Sequence, residues 1–135
     1  MSSRPIPHPT PETKPFWDGC AAGELRLQHC QDCAQVQFPP RRLCSGCFSP
    51  NVEWRVASGA ATVVSWSEVV RAGAPGFEDE VPFVSAFVRL QEGPMMLTVL
   101  REVDARNVHQ NMPVEVTFEV RSDTISIPCF RPVPR

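Results

Sequence analysis

Apolar and polar residues alternate most clearly in the second half of the chain. Val114, Val116, Phe118 and Val120 are interleaved with Glu115, Thr117, Glu119 and Arg121, the period of a strand with one wet face. Runs rich in β-branched and aromatic residues also cover Val52–Val56, Ala60–Val70, Phe83–Leu90, Met95–Arg101 and Thr124–Phe130. Gly, Pro, Asn and Asp separate them, so each predicts a strand. Glu92-Gly93 and Ser122-Asp123 supply hairpin turns, and the span from Val103 to Asn111 has room for one helical turn. About five strands, the first of them long and preceded by Gly59, suit a partly open Greek-key barrel of the oligonucleotide/oligosaccharide-binding (OB) type. The expected fold is mainly β, with a five-stranded antiparallel OB-fold barrel; a two-sheet sandwich is the alternative. A bend in the long strand calls for a bulge that the pattern does not place.

The first half reads differently. Thr13 to Gly23 predicts the one convincing helix, with Thr13 able to cap it, Pro15 suited to a first turn that needs no N–H, and Gly23 as a stop. Phe16, Trp17, Cys20 and Ala21 fall on one face, while Gly19 weakens the reading. Glu24–Gln28 and Gln35–Phe38 alternate like short strands that enter and leave a cysteine-rich segment. The expected organisation is an extended tail at 1–12, the helix and a metal ribbon at 13–51, an OB-fold domain at 52–132 and a short tail at 133–135.

Cys30, Cys33, Cys44 and Cys47 form two C-x-x-C knuckles, the spacing of one closed tetrahedral site of four thiolates. Zinc is the expected ion, with iron allowed by ligand count alone. Four protein ligands leave no position for water or substrate, so the metal's expected work is structural. A redox pair fits less well, because a thioredoxin-like C-x-x-C would stand alone at a strand-to-helix turn.

The formal net charge of -2 argues against a dedicated nucleic-acid binder, and no stretch reaches the apolar length of a membrane span. The first nine residues carry no apolar run of the secretory kind, so a cytoplasmic location is expected and disulfides are not.

The order Pro15-Phe16-Trp17, Gly23-Glu24-Leu25, Cys30-x-x-Cys33, Phe38-Pro39-Pro40-Arg41, Cys44-x-x-Cys47, Glu53-Trp54 and Ser58-Gly59 resembles the rubredoxin-like zinc ribbon of the "domain of unknown function 35" family. Pro82-Phe83, Gly93-Pro94, Met112-Pro113-Val114-Glu115-Val116 and Phe130-Arg131-Pro132 resemble that family's C-terminal OB-fold. The resemblance runs from about Pro11 to Pro132. Asn111 stands where the family usually has Gly before the Met-Pro-Val strand, and Asn tolerates the left-handed conformation at modest cost. The resemblance implies a zinc-bearing accessory subunit, forming a hetero-oligomer with a thiolase, a thiolase-like aldolase or another acyl-CoA enzyme. Fatty-acid, steroid side-chain or aromatic-acid degradation is the implied setting.

Coenzyme A carries several phosphate charges, so a coenzyme A thioester as ligand would call for a cationic groove. Arg41, Arg42, Arg55 and Arg71 are the residues able to line one. Phe16 and Trp17 on the helix, and Phe77 in the loop from Gly73 to Glu80, are the candidate partner contacts. No catalytic residue is expected: Cys20 and Cys129 read as buried packing thiols, and His8, His29 and His109 have no evident partner. The competing reading is a nucleic-acid-binding ribbon/OB module, for which Trp66, Phe83 and Phe87 could stack bases. Glu68, Glu115 and Glu119 dilute any basic track beside them.

Overall fold

The structure is a computed structural model that describes residues 6–71, 76–77 and 79–134. Helix α1 (Lys14–Ala21) is followed by β1 (Arg26–Cys30), β2 (Val36–Gln37), β3 (Val52–Val56), β4 (Ala60–Val69), β5 (Phe83–Leu90), β6 (Met95–Leu100), a 3-10 turn (Ala105–Asn107), β7 (Pro113–Val120) and β8 (Ser126–Pro132). Two sheets result: a three-stranded ribbon in the order β2-β1-β3 and a closed barrel in the order β4-β5-β6-β8-β7.

The helix begins after Thr13, whose side chain does not cap it. The Thr13 hydroxyl instead accepts the backbone N–H of Thr10 at 2.8 Å. Gly19 has a packing reason: a Cβ there would sit 2.7 Å from the Arg26 side chain, where β1 passes the helix. Phe16 and Cys20 are buried at 4% and 1% exposure, and they join Leu25, Leu27 and the barrel interior in one continuous core.

Two expectations are corrected. Val52–Val56, grouped with the barrel on its residue types, pairs with β1 over its whole length, from Arg26 opposite Val56 to Cys30 opposite Val52. It therefore completes the ribbon sheet. The barrel is also not wholly antiparallel, because β6 and β8 run parallel where Leu100 meets Phe130. The reason is parity: a closed ring of five strands cannot alternate direction at every neighbour, so one pair must run the same way.

The bulge that the long strand needs lies between Val63 and Ser65, where the register with β5 shifts. Gly59 leads into β4 with φ of 83°, and a Cβ there would come within 2.7 Å of Val116 Cγ1. That close approach lets the Gly59 carbonyl accept the Val116 N–H at 2.8 Å and start barrel closure. Asn111 takes the left-handed conformation, with φ of 65°. In β7, Val114 is fully buried but Val120 is 78% exposed. β4 flanks β7 only at residues 113–115, so the hairpin end of the strand has lost its cover.

Candidate metal centre

Each knuckle closes with the same tight turn. The Ala34 N–H donates to the Cys30 carbonyl at 2.9 Å, and the Phe48 N–H donates to the Cys44 carbonyl at 2.8 Å. Both turns require a left-handed residue just after the second cysteine, Ala34 with φ of 66° and Phe48 with φ of 62°. The turns aim the sulfurs inward, and the Sγ atoms of Cys30, Cys33, Cys44 and Cys47 all lie within 4.8 Å of one another. Cys30 and Cys47 are 3.6 Å apart, and Cys33 and Cys44 are 3.5 Å apart. A zinc tetrahedron with bonds of about 2.3 Å has edges of about 3.8 Å, so the cage has the size of one ion.

The electrostatics call for a cation. Backbone N–H groups of Cys47 and Gly46 hold the Cys44 thiol down to about 7. For the exposed Cys47, the pull of the Ser49 N–H is outweighed by hydrogen bonds shared with the neighbouring thiols of Cys30, Cys33 and Cys44 and by the local loss of solvent, and it rises to about 12. Four thiolates do not ionise together in this space unless a metal neutralises them. The donor set and geometry fit a closed structural zinc, which would leave no open coordination position.

The second knuckle rests on a polar frame. Gln28 and Gln37 are 4% and 6% exposed and lie directly opposite each other in the β1–β2 register. Gln28 accepts from the Arg41 N–H at 2.8 Å and donates to the Arg41 carbonyl at 2.7 Å. Gln37 accepts from the Ser45 N–H at 2.8 Å and donates to the Leu43 carbonyl at 3.2 Å. The two knuckles are joined through Asp32, which accepts from the Ser49 hydroxyl and from Asn51 Nδ2 at 3.1 Å. Sequence reasoning missed Gln28 and Gln37. Their signal is faint: two glutamines in strands that otherwise turn apolar residues inward.

The four arginines proposed for coenzyme A phosphates are divided among three parts of the chain. Arg41 and Arg42 lie on the exposed connection into the second knuckle, and Arg71 lies beyond the far end of β4. Arg55 on β3 pairs with Glu53 and lines a cleft with His29, Cys30 and Gln31. Of the candidate partner contacts, Phe16 is a core residue. Trp17 stacks edge-on against it at 5.1 Å and lines an apolar groove with Phe38, Pro40, Leu97 and Ile127. Phe77 is half-buried and packs on Phe83 with ring centroids 6.2 Å apart. The rest of its loop falls partly outside the described residues, at Gly73, Ala74, Pro75 and Glu78.

Two family models cover most of the chain. The one described as "ChsH2, rubredoxin-like zinc ribbon domain" matches residues 17–53, and "ChsH2, C-terminal OB-fold domain" matches residues 54–119. The chain belongs to the DUF35 family.

This DUF35 chain is 39% identical over 85 residues to a DUF35 domain-containing scaffold protein of Pyrococcus furiosus, covering 62% of each. It is 38% identical over 112 residues to the 3-oxo-4,17-pregnadiene-20-carboxyl-CoA hydratase alpha subunit of Mycobacterium tuberculosis, covering 83% of this chain and 35% of that one. The match therefore spans less than two thirds of either relative. A solved structure titled "Ltp2-ChsH2(DUF35) aldolase" superposes with a TM-score of 0.82 at 26% identity, over 93% of this chain and 98% of the matched chain. A DUF35 structure from Sulfolobus solfataricus, at 19% identity and a TM-score of 0.60, shares the fold. No helix among the described residues is long and apolar enough to cross a membrane.

Proposed function

We propose that this DUF35 chain is a non-catalytic subunit that assembles with a thiolase-type enzyme or thiolase-like aldolase and supports its turnover of acyl-CoA thioesters. In this reading the partner carries the acyl-CoA chemistry, and this chain contributes a zinc-braced ribbon and a barrel as fixed surfaces. The observation that carries it is the superposition on nearly the whole of a chain from the Ltp2-ChsH2(DUF35) aldolase structure. The carboxyl-CoA hydratase alpha subunit of M. tuberculosis and a probable enoyl-CoA hydratase alpha subunit of Thermomonospora curvata place similar sequences in CoA-thioester enzymes. These names favour a steroid carboxyl-CoA or another enoyl-CoA as the partner's substrate class, and degradation of such acyl-CoA compounds is the setting of this proposal.

The chemistry of this chain agrees with a supporting role. Burial pushes the Cys20 and Cys129 thiols up to about 12, which keeps both unreactive near neutral pH. Zinc held by Cys30, Cys33, Cys44 and Cys47 would close the ribbon and set the angle of the second knuckle.

One observation favours the nucleic-acid reading: Trp66 and Phe87, 38% and 43% exposed, line one cleft on the OB-fold face. Native mass spectrometry of the chain purified from its own host separates the two. A one-zinc chain in stoichiometric complex with a thiolase-like protein supports the subunit reading. A zinc-loaded monomer that binds single strands with strong salt dependence replaces it.

A further inference from the structure

We propose that the second knuckle is the chain's protein-docking point. Phe48 and Leu43 form an apolar knob that enters a pocket on the partner enzyme, and Arg41 and Arg42 pair with carboxylates on the rim of that pocket. The inference rests on the subunit reading above and names the surface that would carry it.

Phe48 is 74% exposed and Leu43 44% exposed, and they flank the ligand pair Cys44 and Cys47. Exposure of one apolar side chain is ordinary, but Phe48 also occupies a strained backbone. Its φ of 62° lies where a bulky residue is a rare outlier and glycine is unstrained. The knuckle turn requires that conformation, as Ala34 in the first knuckle shows with φ of 66°. The turn does not require a phenyl ring. Phe48 lies outside the buried core and the hydrophobics packed on it, so neither backbone geometry nor folding accounts for the ring.

The knob is also held rigidly. Gln28 fixes both backbone groups of Arg41, Gln37 fixes the Leu43 carbonyl and the Ser45 N–H, and the Cys44 N–H donates to the Ser49 carbonyl at 2.9 Å. A side chain presented on a backbone already ordered loses little further entropy on binding, the condition under which one aromatic anchor dominates an interface.

Charge identifies the occupant. Arg41 and Arg42 are exposed, and their guanidinium groups form no ion pair among the described residues. Two cations beside two apolar side chains complement an apolar pocket edged by Asp or Glu. An anionic membrane is a poorer match, since polybasic membrane segments gather roughly 4–8 Lys and Arg and this chain's net charge is -2.

The test uses the full zinc-loaded chain and the thiolase-like protein that co-purifies with it. Phe48→Gly and Phe48→Asn keep a residue that tolerates the left-handed turn and remove the ring. Each is expected to retain one zinc, to melt at or above the wild-type temperature as strain is relieved, and to bind the partner about thirtyfold more weakly, the loss typical of a hot-spot anchor. Arg41→Ser/Arg42→Ser is expected to weaken binding and flatten its salt dependence. Unchanged affinity in both Phe48 variants overturns the docking point and leaves the subunit reading standing, whereas a wild-type chain with no such partner overturns both. Loss of zinc or of melting temperature in both Phe48 variants assigns the ring a structural role and overturns the proposal. Phe48-dependent binding to phosphatidylserine vesicles with unchanged partner affinity overturns it as well.

Discussion

Gln37 Nε2 donates to Gln28 Oε1 at 2.7 Å across the β1–β2 pair, at nearly full burial of both residues. This amide pair is the hinge between sheet and metal cage. Its remaining donors and acceptors are spent on the backbone that carries Arg41, Leu43 and Ser45. Gln37→Leu removes one amide and strands the backbone groups that it satisfied, as well as part of Gln28. The expected cost is about 2 kcal/mol, measured by urea denaturation of the zinc-loaded protein. Faster zinc release to a chelator should accompany it, because the second knuckle is no longer held for metal capture.

The cage itself has a sharper test. Cys33→Ser or Cys47→Ser leaves three thiolates, and since metal binding contributes folding free energy directly, the ribbon should lose its zinc and open. Metal analysis is expected to fall from one equivalent to near zero. Full retention of zinc by either variant would remove that cysteine from the ligand set.

The aromatic pair on α1 divides by burial. Phe16, 4% exposed and packed against Phe38 at 5.5 Å, belongs to the core. Phe16→Ala should therefore cost about 3–5 kcal/mol and disturb ribbon and barrel together. Trp17 sits at the rim of the apolar groove, and Trp17→Ala should destabilise by less than the Phe16 variant. Thermal melts of the two variants side by side check the order.

Two buried thiols set an alkaline limit. Burial, together with the Glu119 carboxylate that Cys129 Sγ approaches at 2.8 Å, raises Cys129 to about 12, and burial raises Cys20 to about 12. In the unfolded chain both ionise near about 8.5. Their folded pKa values are raised, so their contribution to stability is complete below about pH 8.5 and is lost as pH climbs toward 12. Denaturation midpoints should fall between pH 8 and pH 10.5, and a Cys20→Ala/Cys129→Ala variant should show a shallower fall. Equal slopes in wild type and variant would rule out the thiols as the cause.

The sequence by itself determined what short-range chemistry encodes. The C-x-x-C spacing brings two sulfurs to one side of a single turn, so the metal cage was legible without the fold, and the structure gathers those four cysteines. The period-two run of Val114 to Arg121 and the β-branched and aromatic runs between turn residues located the barrel strands, with β5 running from Phe83 to Leu90 as its composition predicts, because such side chains favour extended backbone and alternation reports which face of a strand is covered. Alternation does not report which strand lies beside it. Only the tertiary structure placed β3 in the ribbon, made β6 and β8 parallel, left Val120 exposed and set Gln28 opposite Gln37. It likewise put Phe16 in the core and set Arg41 and Arg42 on the connection into the second knuckle, Arg55 on β3 and Arg71 beyond β4. Each of these outcomes depends on contacts between residues far apart in the chain, and those follow from how strands of fixed direction close a ring and share one core.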